Sequence, residues 1–466
     1  MKIKKNVSSI CFLKEIRDKR LYCYGGGKVF EDFLRLYSEI NVYAVVDKNS
    51  IGLKKNNKNL RFIDINQFCN ECDNESVLLI TCLDYIEIIK GLQEITAFNE
   101  LPCYVYHLLR DNNSINESTD NVNKYQLTEF RFQDCMATQK APSDVMRIAL
   151  NLGYNILFLD RGTIKHGAEQ TEQAWNSVVE NININSNLII QFPLVDNTNG
   201  IYKIKKIKRD KNLKIIAIIH DIDVMRGSPT KSDFLQYKIL HEISDVYIVH
   251  NKNMKNILCK NGFDINKMVD LKIFDYLISE DPKIQEDNGI IIAGNFDKSK
   301  ASYVYQLNKI YNVKFNLFGA NFNDRVKYDN ISYYGEFLPD ELIKSLKGRY
   351  GLVWDGDSLE TCSGVKGEYL RINNPHKLSL YIAVGLPVII WEEAAEADFV
   401  LRAGVGLTIN SLYDLPDKLE SVSDIEYKTM KQNALIVGTH LRNGDYMKNA
   451  IVQAEKIIKD IRKTDK

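Results

Sequence analysis

Asn373-Asn-Pro-His-Lys-Leu-Ser-Leu-Tyr-Ile-Ala-Val-Gly-Leu-Pro-Val-Ile-Ile-Trp391 reads as a polar loop, a helix over Leu378 to Ala383, a turn at Gly385-Leu-Pro387 and a buried strand. The strand is apolar on both faces, as in a parallel sheet covered by helices. Just upstream, Gly351-Leu-Val-Trp354 is a second such strand, so the segment between them is a crossover connection. Working outward, Gly289-Ile-Ile-Ile-Ala293 and Lys314-Phe-Asn-Leu-Phe318 open the same series, which closes in a helical tail from Tyr427 to Lys463. These elements predict a doubly wound α/β domain over 281–466.

An earlier series has the same grammar. Asn155-Ile-Leu-Phe-Leu159, Leu188-Ile-Ile-Gln-Phe192, Leu213-Lys-Ile-Ile-Ala-Ile-Ile219 and Val246-Tyr-Ile-Val249 are strands with room for helices between them. Ala141-Pro142-Ser-Asp144 starts a helix with Val145, Ile148, Ala149 and Leu152 on its apolar face and Gly153 as its stop. This predicts a second doubly wound domain over 128–280. Arg20 to Tyr24, Asn41 to Val46, Ser76 to Thr81 and Pro102 to Tyr106 give a third, Rossmann-like series over 1–115, with helices over 28–40 and 85–94. Residues 116–127, rich in Asn, Ser, Thr and Asp, read as the linker. The fold class is therefore α/β: two Rossmann-like domains facing across a cleft, with an N-terminal Rossmann-like domain ahead of them.

Composition agrees with three folded domains in 466 residues: 45% of the residues are hydrophobic and 26% charged. Sixty-one Lys and Arg balance sixty-one Asp and Glu, so no global field draws the chain to nucleic acid. No apolar run is long enough for a spanning helix, and Lys14, Glu15 and Arg17 break the stretch after the basic start, so a cytoplasmic location is expected. Nine cysteines at uneven spacing fit reduced thiols. Cys69 and Cys72 form a lone Cys-x-x-Cys, read as coincidence, and no metal site is expected.

Ligands of open α/β sheets bind outside the carboxyl ends of the strands, so chemistry is expected there. Asn373 to Lys377 precedes a helix, and its free N–H groups and ammonium suit a pyrophosphate or, equally, form a plain solvated loop. His220, Asp221 and Asp223 follow a buried strand, where a carboxylate serves as general base or merely caps a helix. Arg226, Asp355, Asp357, His250 and Asn251 stand at comparable strand ends. Tyr202 to Lys211 places Ile201, Ile204 and Ile207 at helical spacing among Lys and Arg, the pattern of a helix on anionic lipid or of a surface helix over a sheet. Gly25-Gly-Gly27 and Asp47 carry part of a dinucleotide fingerprint, but the spacing is Gly-Gly-Gly-x-x-Phe.

Leu352-Val-Trp-Asp355, Tyr369, Asn373 to Lys377, Ser379-Leu-Tyr381 and Ala383 to Trp391 resemble the bacterial β-1,6-galactofuranosyltransferases and the related third glucosyltransferase of serine-rich repeat adhesin glycosylation. Ala293-Gly-Asn295, Ile219-His-Asp-Ile222 and Lys140 to Asp144 extend the resemblance over about 130–466, leaving the N-terminal domain outside it. The resemblance implies a GT-B glycosyltransferase that moves galactofuranose or glucose from a UDP-sugar to a glycan hydroxyl, inverting, without metal or cofactor. On the resemblance Lys377 is assigned to the diphosphate, and of the residues at the end of the strand Leu213 to Ile219, Asp221 is the expected general base, with His220 beside it. It further implies donor contacts at Gly294, Asn295, Lys298, Phe318, Gly319, Tyr333 or Tyr334, Asp355, Asn374, His376 and Ser379. Lys298 stands where the adhesin enzymes have Arg, so a bidentate phosphate contact is lost there. Expected partners are the UDP-sugar, a lipid- or protein-linked glycan acceptor, a peripheral membrane surface and a second copy of the chain. The rival expectations are a non-catalytic partner subunit of this fold and a nucleotide-sugar-modifying enzyme using Gly25.

Overall fold

In the computed structural model, the described residues are 2–3, 12, 15–27, 30, 33–34, 40–48, 60–82, 88–89, 91–92, 94–95, 101–106, 122–129, 137–159, 168–194, 200–227, 229–278, 282, 284–285, 287–323 and 328–464. By packing, the chain divides into two compact units, 1–134 with 150–186 and 135–149 with 187–466.

The first unit holds a parallel sheet of β1 (Lys2–Ile3), β2 (Arg20–Tyr24), β3 (Val42–Val46), β4 (Phe62–Ile63), β5 (Ser76–Ile80) and β6 (Pro102–Val105), in the order β1-β6-β5-β2-β3-β4. Its central strands are buried on both sides, Leu21, Cys23 and Val77 in one cluster and Tyr22, Ala44 and Leu78 in the other. That two-sided burial is why they read as unbroken apolar runs. β1, β4 and the helix Ile65–Glu71 were not expected from the sequence; the two strands are only two residues long. Of the expected helix 28–40, Phe30, Phe33 and Leu34 are helical and Ile40 is not, and of 85–94, residues 88–89 and 91–92 are helical and Glu94 lies in a turn; the rest lie outside the described residues. The segment expected as linker ends in a strand: β7 (Lys124–Thr128) pairs in parallel with β8 (Asn155–Phe158). It is buried from Tyr125 to Thr128, with Gln126 and Thr128 as polar residues inside it, so it lacks the unbroken apolar run of the other strands. Residues 116–121 lie outside the described residues.

The second unit contains two sheets. β9 (Asn187–Phe192), β10 (Lys214–Ile219), β11 (Val246–Val249) and β12 (Met268–Asp270) pair in parallel in the order β12-β11-β10-β9. β13 (Ile290–Ala293), β14 (Phe315–Phe318), β15 (Ile331–Tyr333), β16 (Tyr350–Val353), β17 (Val388–Trp391) and β18 (Gly406–Ile409) lie in the order β15-β14-β13-β16-β17-β18. This sheet winds one way from β13 to β15 and the other way from β16 to β18, which puts its switch point between β13 and β16. Its core runs continuously from Ile290 through Trp354 and Tyr381 to Leu441.

The helix expected to start at Ala141 begins at Ala137 and carries Pro142 inside it. The C-terminal tail is two helices, Asp424–Asn443 and Asp445–Thr464, separated by Gly444 at φ 75°. The second returns to pack on β11 and β12, with Arg462 donating to Asn187 at 2.9 Å. Asp275 receives the N–H groups of Tyr446 and Met447 at 3.2 and 2.6 Å, capping that helix where it crosses back. The basic helix Gly200–Lys211 buries Ile201, Ile204 and Ile207 and packs on the helix Lys231–Ile243, while Lys205 and Lys208 pair with Glu242 and Asp245. Its apolar face is thus used internally. Among the described residues no helix is long and apolar enough to cross a membrane.

Candidate functional site

The switch point of the β13–β18 sheet is built from glycine. Gly294 ends β13 at φ 154°, with open space where a Cβ would stand. Gly319 ends β14 at φ 147°, and a Cβ there would run into the carbonyl oxygen of Gly294. Two backbones meet where only glycine fits. Phe318 leads into this contact, and Tyr334 stacks on it with centroids 4.7 Å apart and planes 5° apart. Tyr334 remains 39% exposed, so it offers an open aromatic face. Tyr333 is turned the other way, its hydroxyl on the Gly319 carbonyl at 2.9 Å and its ring against Phe322. The Tyr doublet is thereby resolved: one ring packs inward and its neighbour faces out.

Across the switch point, Lys377 Nζ donates to the Trp354 carbonyl at 3.1 Å and pairs with Asp355 Oδ1 at 2.7 Å. The ammonium is fixed beside the crevice by a carboxylate and a carbonyl. Lys298 lies over the Tyr305 ring at 5.1 Å, a cation–π contact in place of a fork aimed at phosphate. Asn295 Oδ1 receives Asp297 N–H at 2.9 Å and Asn321 Nδ2 at 3.1 Å, stabilising the turn. Asp357 accepts from Ser302 Oγ at 3.3 Å, which makes it part of the loop framework.

The remaining residues of the Asn-Asn-Pro-His-Lys motif join the two halves of the second unit. Asn374 N–H donates to His250 Nδ1 at 2.9 Å and its Nδ2 to the Lys272 carbonyl at 3.2 Å. His376 packs on Tyr276 at 5.0 Å, and burial pushes its pKa down to about 3. Ser379 is fully buried within the helix His376–Ala383. Among the residues expected to touch the donor, Asn374, His376 and Ser379 therefore face protein.

Facing this motif are the ends of β10 and β11. His220 N–H holds the Phe192 carbonyl at 2.8 Å, and its ring stacks on Phe274 at 5.3 Å and 10°. Its Nε2 meets Gln191 Oε1 at 2.7 Å. Burial pushes the pKa of His220 down to about 4 and that of His250 down to about 3, so both rings are neutral at pH 7. Asn251 caps the helix Lys252–Lys260 and reaches across to the Ile372 carbonyl at 3.0 Å and to Glu396 Oε1 at 2.8 Å. Glu396 is buried, and its pKa is pushed up to about 8, so it carries its proton at neutral pH.

Asp221 is engaged differently. Its carboxylate pairs with Arg226 and accepts from the Tyr369 hydroxyl, which in turn accepts Ile222 N–H at 3.0 Å. Burial raises its pKa to about 6 and the Arg226 charge opposes the rise. Arg226 also lies over the Tyr369 ring at 5.8 Å. Lys366, beside it, is lowered first by burial and then by the charges of Arg226 and Lys300. Two cations, Arg226 and Lys366, thus stand beside two carboxylates, Asp221 and Asp223.

Gln191, Phe274, Lys366 and Glu396 escaped sequence reasoning. Gln191 carried a signal, as the one amide inside the apolar strand Leu188 to Phe192. Glu396, within Glu-Glu-Ala-Ala-Glu-Ala, carried none. In the first unit, Gly26 N–H donates to Asp47 Oδ2 at 2.8 Å, which occupies the carboxylate a dinucleotide ribose would need. Cys72 Sγ meets only the Cys69 carbonyl, at 3.8 Å, and among the described residues no group of three His, Cys, Asp or Glu is placed to hold a metal ion.

Comparison with known proteins places this geometry in context. The chain matches the family described as Glucosyltransferase 3-like, N-terminal domain, over 124–273, and Glucosyltransferase 3-like, C-terminal domain, over 290–454. The beta-1,6-galactofuranosyltransferase WbbI of Escherichia coli strain K12 is 37% identical over 257 residues, covering 53% of this chain and 72% of that protein. Glucosyltransferase 3 of Streptococcus gordonii is 24% identical over 323 residues, covering 67% and 92% respectively. Among solved structures, sucrose-phosphate synthase from Thermosynechococcus elongatus aligns with a TM-score of 0.50 at 12% identity, over 73% of this chain and 100% of that one. That likeness shows the fold alone.

Proposed function

This chain belongs to the glucosyltransferase 3-like family and is a glycosyltransferase of GT-B architecture; from that premise we propose that it moves a hexose from a UDP-sugar to a glycan hydroxyl, inverting the anomeric centre without a metal ion. The observation that carries this reading is the switch point itself, where the Gly294–Gly319 contact, the exposed Tyr334 face and the Lys377 ammonium lie at the ends of adjacent strands. The base stacks on Tyr334, and the diphosphate takes the ammonium in place of Asp355. Lys377 then offsets the charge that develops on the leaving UDP. Its preorganisation by the Trp354 carbonyl means that little is spent on orienting it during transfer. Galactofuranose is the favoured sugar, because the relative at 37% identity is a galactofuranosyltransferase.

The hydroxyl proton goes to a group at the end of β10, where Asp221 meets Tyr369 of the opposite half and His220 stands beside it. Inversion needs one base on the face opposite the leaving group. The protein is proposed to work in the cytoplasm on a lipid- or protein-linked glycan. The reading is tested by acceptor-dependent UDP release from UDP-galactofuranose and UDP-glucose across a panel of glycan acceptors. Release that requires acceptor and disappears in Lys377→Ala supports it. UDP binding with no turnover on any acceptor would favour the non-catalytic partner subunit instead.

A further inference from the structure

We propose that Gln191 is a positioning residue for transfer: it sets the tautomer of His220 so that His220 Nδ1, and not the Asp221 carboxylate, takes the proton of the acceptor hydroxyl. This rests on the transferase reading above and names the base within it. Gln191 stands near the end of β9 among buried apolar neighbours. Its Nε2 donates to the Pro142 carbonyl at 3.2 Å, and a carbonyl only accepts, so the orientation of the amide is fixed. Oε1 therefore faces His220 Nε2, at 2.7 Å. An amide oxygen also only accepts, so the imidazole proton must sit on Nε2 and the lone pair on Nδ1. Stacking on Phe274 holds the ring plane.

The groups around this ring leave its basicity to Gln191. His250 is pinned in its neutral form, Nδ1 accepting from Asn374 N–H and Nε2 facing the Ile219 carbonyl at 2.9 Å. His376 approaches from the helix His376–Ala383 and is likewise neutral. Arg226 and Lys140 are the cations whose fields reach these neighbouring rings. Asp221, next in the chain, pairs with Arg226 and accepts from Tyr369, and so is turned to a different set of partners. No carboxylate among the described residues is hydrogen-bonded to His220.

In the step, the acceptor oxygen forms its bond to the anomeric carbon while the bond from that carbon to the diphosphate oxygen breaks, and the electron pair leaves with UDP. The hydroxyl proton moves to Nδ1. The resulting imidazolium keeps its Nε2–H on Gln191, now a charge-assisted hydrogen bond, and the proton passes to solvent after the products leave.

The test is the pH dependence of kcat/KM for acceptor-dependent UDP release by the full chain, in the wild type and in Gln191→Glu, Gln191→Leu, His220→Gln and Asp221→Asn. A carboxylate at 191 favours the imidazolium, so the acid limb of Gln191→Glu moves up by about one pH unit or more. Gln191→Leu loses about 10- to 100-fold in kcat, with KM for the UDP-sugar within about twofold, while His220→Gln loses about 10²- to 10⁴-fold. Asp221→Asn retains the acid limb. A limb that stays in place in a turning-over Gln191→Glu, or that vanishes in Asp221→Asn, overturns the inference and leaves the transferase reading standing. If Gln191→Leu fails to fold, the near-isosteric Gln191→Glu still decides. Absence of acceptor-dependent release in the wild type overturns the transferase reading, and this inference with it.

Discussion

The carboxyl ends of β13 and β16 and those of β10 and β11 are the same structural position in two sheets of one fold, yet they are chemically unlike. At the first, an ammonium and a carboxylate stand beside an open tyrosine face. At the second, neutral imidazoles are packed against Phe274 and tied to amides and carbonyls. The difference follows what each end is asked to do. A leaving diphosphate gains negative charge and is stabilised by a fixed cation, whereas the proposed acceptor of the hydroxyl proton is a neutral imidazole. Parallel sheets supply the position, and the loops supply the charge.

The comparison is broken most severely by removing the cation. Lys377→Ala is expected to lower kcat/KM for the UDP-sugar by about 10²- to 10³-fold, in the range of losing one preorganised charge-stabilising donor. A titration of UDP against each variant separates this from the β10 side, because His220→Gln is expected to lower turnover with UDP affinity unchanged within about twofold. Steady-state profiles sharpen the same contrast. A base with the pKa of His220, about 4, leaves kcat/KM level from pH 8 down to 6, whereas one with the pKa of Asp221, about 6, halves it near pH 6.

A smaller effect is expected from the aromatic face. Tyr334→Ala should weaken UDP binding by about 10-fold, within the usual worth of base stacking. Tyr333→Phe should leave the affinity unchanged, since the Tyr333 hydroxyl is spent on the Gly319 carbonyl. Isothermal titration with UDP checks both.

Glu396 gives the smallest test, one of stability. Its folded pKa of about 8 lies above the unfolded value near 4.5, so unfolding releases a proton between these values and stability falls as pH rises through that window. Glu396→Gln removes this loss. Relative to the wild type, the difference in its melting temperature should be constant below about pH 4.5 and should rise steadily toward pH 8, and a pH-independent difference would contradict the assignment. The neighbouring His250 acts in the opposite sense. Its folded pKa of about 3 lies below the unfolded 6.5, so its contribution is present above pH 6.5 and is lost on acidification toward 3.

The strands were legible because parallel, doubly covered strands must be apolar throughout: β10, β13 and β17 differ from their expected spans by one residue or none at each end. β1 and β4 were not legible, because two-residue pairings leave no periodicity. The site was legible in part. Motif reading located Lys377, Phe318 and the Tyr333–Tyr334 pair, but which tyrosine faces outward depends on packing against Phe322, a contact distant in sequence. His376 and Ser379 share the helix of Lys377 and yet face protein, because helical residues a step apart take different faces, while Asn374, in the loop before it, is held by His250 and the Lys272 carbonyl. Gly25 and Gly294 looked alike as turns after strands, but only the structure shows Asp47 holding Gly26 N–H in one and open space at the other.

The most direct test of the central claim is ligand-induced thermal stabilisation of the full chain by UDP, GDP, ADP, CMP and NAD, with Lys377→Ala as the control. The melting temperature should rise selectively with UDP, and the rise should be lost in Lys377→Ala. A folded protein that ignores UDP, or one whose UDP response survives the loss of Lys377, would contradict that claim.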